Sequence, residues 1–269
     1  MSSTDPASGG PVPSDVVRVE RHADARAAIV TLNRPEARNA LNSAVQAALP
    51  AAIAALDADE DVDAIIVTGA DPAFCAGVDL KELAAGDKGL VLPKEQRGPF
   101  PPHRTPIIGA VNGVAVTGGL ELALACDFLV ASEHARFADT HARVGVMPGW
   151  GMTVLLPQAV GLRRAREMSA TGNYIDADTA LAWGLVNHVV AHDQLLPTCL
   201  QLAADIASND PDAVRQLLAT YDDAAAVSLG DGWALEAERS RAWARERLTP
   251  GAVEARRQAV LDRGRAQQG

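Results

Sequence analysis

The stretch Val111-Asn112-Gly113-Val114-Ala115-Val116-Thr117-Gly118-Gly119-Leu120-Glu121-Leu122-Ala123-Leu124-Ala125-Cys126-Asp127 constrains the fold more than any other part of the chain. A β-branched apolar run ends at Asn112-Gly113, the chain turns through Gly118-Gly119, and an apolar segment follows that carries one carboxylate, Glu121, near its start. Glycine has no Cβ, so at such a turn the backbone can lie against a neighbouring segment or a ligand carbonyl. N–H groups at a helix start lack intrahelical acceptors and favour developing negative charge. Two readings follow. Either the glycines only let a strand and a helix pack, with Glu121 reaching solvent, or the turn is an oxyanion site beside an ionisable group.

The rest of the chain repeats the alternation. Val16–Val19 and Ala28–Leu32 are short β-branched runs separated by His22-Ala23-Asp24-Ala25 and read as an opening hairpin. From Ser43, the residues Val45, Ala48, Leu49, Ile53 and Leu56 recur at helical spacing, with Pro50 expected to kink the helix or move its start. Ala64–Thr68 is a strand that feeds a turn-rich loop, Gly69–Gly77, and a helix entrance at Val78–Leu83. Strand, loop and helix in this order predict crossover units and a largely parallel sheet. Between Ala84 and Arg104, glycines and prolines leave no room for a regular element, so this segment, with His103 in it, reads as a loop or lid.

Pro106–Val111 and Phe128–Ala131 read as strands, Leu120–Cys126 as a short helix, and Thr140–Gly151 as a second loop on the ligand side. Helices are expected at Met152–Val160, Leu162–Thr171 and Asp178–Trp183, then a strand at Val186–Val190. His192 to Gln267 reads as nearly continuous helix, broken at Asn209-Asp210-Pro211 and Thr249-Pro250-Gly251. The resulting division is a Ser/Pro/Gly-rich disordered leader over 1–14, an α/β core over 15–191 and a helical domain over 192–269.

Composition narrows the partners. A formal charge of -10, with no basic run, excludes a protein that tracks nucleic-acid backbone or an anionic lipid surface. No segment has the unbroken apolar length of a membrane span. Cys75, Cys126 and Cys199 are odd in number and widely spaced, which suggests neither a disulfide framework nor a metal cluster and fits a reducing, cytoplasmic setting. Small molecules or other protein subunits remain.

Six blocks in order then resemble one family, the crotonase or enoyl-CoA hydratase/isomerase superfamily. They are Asn33–Asn42 (NRPEARNALN), Ala73–Lys81 (AFCAGVDLK), Ala110–Gly113 (AVNG), Gly118–Ala123 (GGLELA), Val144–Gly151 (VGVMPGWG) and Ala180–Asn187 (ALAWGLVN). The resemblance implies a spiral core of repeated ββα units and a C-terminal helical domain used in trimer formation, giving a homotrimer or a homohexamer. It also implies an acyl-CoA thioester substrate, with coenzyme A as part of the substrate and no separate cofactor or metal.

Residue by residue, the resemblance places the thioester oxygen between the backbone N–H groups of Val78 and Gly118. Donors fixed in a dry pocket stabilise an enolate-like oxygen more than the ground-state carbonyl. The backbone from Ala76 through Asp79 and Leu80 to Lys81 is implied for coenzyme A, with Arg38 and Lys81 as cations for its phosphates. Trp150 falls where a wall of the acyl pocket is expected. The family's hydratases use two glutamates as general acid and base; the first aligns with Glu121 and the second with His141. An imidazole titrates near neutrality and both donates and accepts, so the pair suits syn addition of water to a 2-enoyl-CoA. The same substitution leaves open a double-bond isomerase, another reaction of the superfamily, or an acyl-CoA binding protein without turnover. Asp139 is a lesser candidate, as an orienter of the ring or a replacement acid.

Overall fold

Between residues 64 and 138 the chain feeds its strands alternately into two sheets. The computed structural model describes residues 15–86 and 98–247; the expected leader over 1–14, the middle of the 84–104 loop and the break at 249–251 lie outside the described residues. Strands β1 (Val17–His22) and β2 (Ala27–Leu32) form the antiparallel hairpin read from the sequence, with Val17 opposite Leu32. Helix α1 (Ser43–Asp57) starts where the spacing put it, because the Asn42 side chain accepts from Val45 N at 2.9 Å, and it runs on through Pro50.

Three strand–strand–helix units follow. They are β3 (Ala64–Gly69), β4 (Ala73–Cys75) and α2 (Leu80–Ala84); β5 (Ile107–Val111), β6 (Val114–Val116) and α3 (Gly118–Leu124); and β7 (Phe128–Ser132), β8 (Arg136–Ala138) and α4 (His141–Val144). Beyond them come α5 (Met152–Val160), α6 (Leu162–Thr171), β9 (Ile175–Asp176), α7 (Ala177–Trp183), β10 (His188–Val190) and α8 (Leu195–Ala207). The first strand of each unit joins a six-stranded sheet ordered β1-β2-β3-β5-β7-β10, and the second joins a four-stranded sheet ordered β4-β6-β8-β9. Pairing is parallel except at β1–β2 and β8–β9.

Burial explains the sequence pattern. β3 and β5 are buried along their whole length, so they read as unbroken apolar runs instead of alternating ones. Ile65 and Val67 pack with Val45, Leu49 and Ile53 of α1, whereas Ile66 and Ile108 face Leu195, Cys199 and Ala203 of α8. The small sheet is the main departure from expectation: β4 lies inside the segment read as a turn-rich loop. Its strands have three residues or fewer, too short for a period of two to register.

The first compact unit runs to Pro211 and includes α8, which packs on β3, β5 and β7. The sequence division after 191 therefore falls before a helix that the core itself uses. The second unit, Asp212–Gly269, holds most of α9 (Pro211–Ala225) and α10 (Leu229–Glu246). Within it Arg239 donates to the Ala219 carbonyl and pairs with Asp223. Leu217, Tyr221 and Trp233 are exposed there.

Candidate active site

Each strand–strand–helix unit ends in a turn from the small sheet into its helix, and the candidate groups sit on these turns. At the first, Leu41 bridges Val78 in parallel fashion: Leu41 N donates to the Gly77 carbonyl at 2.8 Å, and Asp79 N donates to the Leu41 carbonyl at 3.1 Å. Groups alternate in direction along an extended chain, so the Val78 N–H points away from Leu41. On that other side lies the second turn. A Cβ built on Gly77 would sit 3.5 Å from Gly118 N, and one built on Gly118 would sit 3.8 Å from Val78 Cγ2. Gly118 is the first residue of α3, so its N–H has no acceptor in the helix ladder. The two residues singled out from the sequence thus lie side by side. Gly119 serves a different end, since a Cβ there would lie 2.1 Å from the Cys75 carbonyl oxygen. The packing reading of the sequence thus holds at Gly119, while Gly118 leaves its N–H outside the helix ladder.

Glu121 lies one helical turn into α3 and is 3% exposed. Its Oε1 accepts from the backbone N–H of Trp150 at 2.7 Å and of Met152 at 3.3 Å. Its Oε2 stands 3.5 Å from His141 Nε2, at the limit of a direct hydrogen bond. His141, on the third turn, is also buried. Its Nδ1 bonds Asp139 Oδ1 at 2.6 Å, and its backbone N–H donates to the same oxygen at 3.1 Å. Ser169 of α6 donates to Asp139 Oδ2 at 2.6 Å. A carboxylate can only accept, so Nδ1 carries a proton and Nε2 is aimed at Glu121.

Burial by itself would push the imidazole pKa down, but hydrogen bonds and charge from Asp139 and Glu121 outweigh it and raise the pKa to about 9. Burial would likewise raise the Asp139 carboxyl, yet the hydrogen bonds from His141 and Ser169 hold it below the ordinary value. At neutral pH His141 is therefore held as an imidazolium against the ionised Asp139, with Glu121 on its other side. Asp139, a lesser candidate from the sequence, is the partner that fixes the ring.

The segment expected to meet coenzyme A lies beside the first turn. Ala76 N donates to the Arg38 carbonyl at 3.0 Å, which places Arg38 next to it, and Arg38, Leu80 and Lys81 are exposed. Asp79 is engaged internally: it caps α2 through Lys81 N at 3.0 Å and pairs with Arg34 at 2.9 Å. Its side chain shapes the loop. Asn39 and Asn112 brace the loop between β3 and β4, with Asn39 Nδ2 donating to the carbonyls of Ala70 at 2.7 Å and Ala73 at 2.6 Å. Asn112 reaches Asp71 Oδ1 at 2.9 Å.

Trp150 lines a cleft with Leu41, Val45, Leu49, Pro50 and Pro99, while its backbone N–H donates to Glu121. His103 turns Nδ1 to the Pro101 carbonyl at 2.9 Å. Cys75 is buried, which pushes its thiol up to about 12.

Comparison with known proteins adds an independent line. A sequence model of the family described as enoyl-CoA hydratase/isomerase matches residues 22–246. A probable peroxisomal enoyl-CoA hydratase 1 of Arabidopsis thaliana is 41% identical over 218 residues, 80% of this chain and 82% of the relative. The crystal structure of an enoyl-CoA hydratase from Mycobacterium tuberculosis H37Rv is 50% identical, with a TM-score of 0.73, covering 84% of this chain and 98% of that one. An enoyl-CoA hydratase structure from Bacillus anthracis is 32% identical with a TM-score of 0.77, covering 86% and 92%.

Proposed function

The chain belongs to the enoyl-CoA hydratase/isomerase family, and from that premise we propose that Glu121 and His141 are the base and acid of a 2-enoyl-CoA hydratase. It is a hydratase-type lyase acting on an acyl-CoA thioester. The observation that carries the residue assignment is the 3.5 Å approach of Glu121 Oε2 to His141 Nε2, beside the Gly118 turn.

The thioester oxygen lies between the N–H groups of Val78 and Gly118, which stabilise the enolate formed when water adds. Glu121 takes one proton from water as its oxygen attacks Cβ. The His141 imidazolium gives a proton to Cα, leaving a neutral ring and a protonated Glu121. Transfer of that proton from Glu121 to His141 restores the pair, so the net change is one water added across the double bond. Asp139 stabilises the charged ring throughout. These are proton transfers among side chains, and no cofactor besides the substrate's own coenzyme A enters them. Arg38, Lys81 and the backbone at Ala76 and Leu80 meet the coenzyme, and Trp150 walls the acyl chain.

The same reading takes the chain to be a homotrimer or homohexamer, supported by the exposed Tyr221 and Trp233 of the second unit. It takes the setting to be cytoplasmic, supported by three free, buried cysteines; among the described residues no helix is long and apolar enough to cross a membrane.

The test assays the wild type, Glu121→Ala and His141→Ala on crotonyl-CoA, reading loss of the conjugated thioester absorbance and a mass gain of one water. Each substitution is expected to lower turnover by ~100-fold or more. Wild-type rates in both variants would refute the assignment.

A further inference from the structure

Thr117 holds a backbone conformation that a threonine should avoid. Its φ is 55° and its ψ is -119°. Arg38, by contrast, has a positive φ of 49° with ψ 40°, inside the left-handed helical region. The Thr117 combination lies outside that region and suits glycine, since a β-branched side chain crowds the backbone there. Such strain persists only where the surroundings hold it.

Three bonds hold it here. Thr117 N donates to the Ala138 carbonyl at 3.1 Å, and its own carbonyl accepts from Glu121 N at 2.9 Å. Its hydroxyl bonds the hydroxyl of Thr140.

These bonds determine where the oxyanion donor points. The Thr117 carbonyl and the Gly118 N–H are the two ends of one planar trans peptide, so they point in opposite directions. With the carbonyl turned into the helix toward Glu121 N, the Gly118 N–H is aimed out of it. Thr140, at the other end of the hydroxyl bond, accepts at its carbonyl from Arg143 N at 3.0 Å and Val144 N at 3.1 Å, and so starts the turn whose first residue is His141. One side-chain contact therefore joins the residue before the oxyanion amide to the residue before the imidazole. A glycine would adopt the same dihedrals at less cost, so what threonine adds at this place is the hydroxyl.

We propose that Thr117 is a positioning residue, which through Thr140 fixes the Gly118 N–H and His141 relative to each other. The inference rests on the hydratase reading above and adds a residue that touches no reacting atom. Loss of the tie leaves all the reacting groups present and loosens their alignment, which lowers turnover more than binding.

The experiment compares wild type, Thr117→Gly, Thr117→Ser, Thr140→Val and the Thr117→Gly/Thr140→Val double variant on crotonyl-CoA. It also records the infrared carbonyl band of bound butyryl-CoA carrying a 13C thioester carbon. Thr117→Gly is expected to melt close to wild type, to lose ~10-fold to ~100-fold in kcat with KM within about threefold, and to shift the carbonyl band toward that of the free thioester. Thr140→Val should lose turnover to a similar degree, and the double variant no more than either single one. Thr117→Ser, which keeps the hydroxyl, should recover kcat to within about threefold of wild type.

A Thr117→Gly enzyme with wild-type kcat and an unshifted band overturns the inference and leaves the hydratase reading intact, as does a Thr117→Ser enzyme no better than Thr117→Gly. A wild type that does not hydrate any 2-enoyl-CoA overturns the hydratase reading instead.

Discussion

Asp139→Asn tests the charge state on which the proposed chemistry depends. The replacement is nearly isosteric, so the ring keeps a hydrogen-bonding neighbour, but the charge that outweighs burial is lost. His141 stands at about 9 in the wild type. An imidazole of that pKa is about 99% protonated at pH 7, against about 24% for an ordinary histidine of pKa ~6.5. Without Asp139 the burial that disfavours the cation is opposed by Glu121 alone, so the variant's pKa falls toward or below the ordinary value. The acid form at pH 7 then becomes the minority, and the Asn amide also competes for the other ring tautomer. Turnover at pH 7 is expected to drop by ~10-fold to ~100-fold, within the range that general acid catalysis supplies. The decisive measurement is kcat/KM for crotonyl-CoA between pH 5.5 and pH 10, a window of about one unit either side of the interval from 6.5 to 9. The wild-type profile should hold to about pH 9 and then fall, while the variant's alkaline limb moves down by a unit or more, so that it regains activity as the medium is acidified. A variant that loses rate uniformly at every pH, with the limb still near 9, would refute the argument that Asp139 acts by holding His141 protonated.

Three further outcomes follow from the same geometry. Gly119→Ala should cost about 3 kcal/mol of stability by thermal or denaturant melts, because its Cβ meets the Cys75 carbonyl at 2.1 Å, whereas Gly118→Ala, whose nearest neighbour is Leu41 Cδ1 at 3.1 Å, should fold and lose turnover. The raised pKa of His141 contributes stability that is complete below about pH 6.5 and lost as pH rises through about 9, so wild type should exceed His141→Gln by up to ~3 kcal/mol more at pH 6 than at pH 10. Tyr221 and Trp233 are 73% and 70% exposed in the chain alone, and Tyr221→Glu with Trp233→Glu should lower the assembled mass in light scattering if that face meets other subunits.

What could be read from the sequence was set by length and burial. The strands of the large sheet were legible because both faces are covered and their apolar runs are unbroken, as at Ala64–Thr68. The small sheet was not, since three residues such as Val114–Val116 look like part of any turn, and only their pairing with neighbouring short strands makes them a layer. Val78 and Gly118 were singled out only through ordered blocks of resemblance, since no property of a valine side chain marks a backbone donor. Asp139 was underrated for a related reason. It sits two residues before His141, a spacing that in a strand would put both on one face, but here the chain leaves β8 at Ala138 and turns, so direction could not be inferred. Ser169, which completes the chain of bonds, lies on a helix thirty residues away and carries no local signal.

The histidine that the resemblance places where the family's hydratases carry a second glutamate then has an electrostatic account. Two carboxylates that face each other in a dry site hold one proton between them, because like charges at close range cannot both ionise, and such a pair carries a net charge of −1. In the proposed mechanism, where Glu121 enters as the base, that carboxylate with a protonated His141 alone would carry none. Asp139, buried at 3% exposure and kept ionised by His141 and Ser169, brings the total back to −1. The proton that one glutamate would hold as a carboxylic acid is held here as an imidazolium, with the missing negative charge moved behind the ring and away from the substrate. In the proposed reaction the amides of Val78 and Gly118 would thus meet an acid–base pair with the same proton inventory that two glutamates would have. Under the proposed chemistry the thioester enolate would form with a charged donor at Cα in place of a neutral one, with Asp139 supplying the negative charge that a histidine lacks.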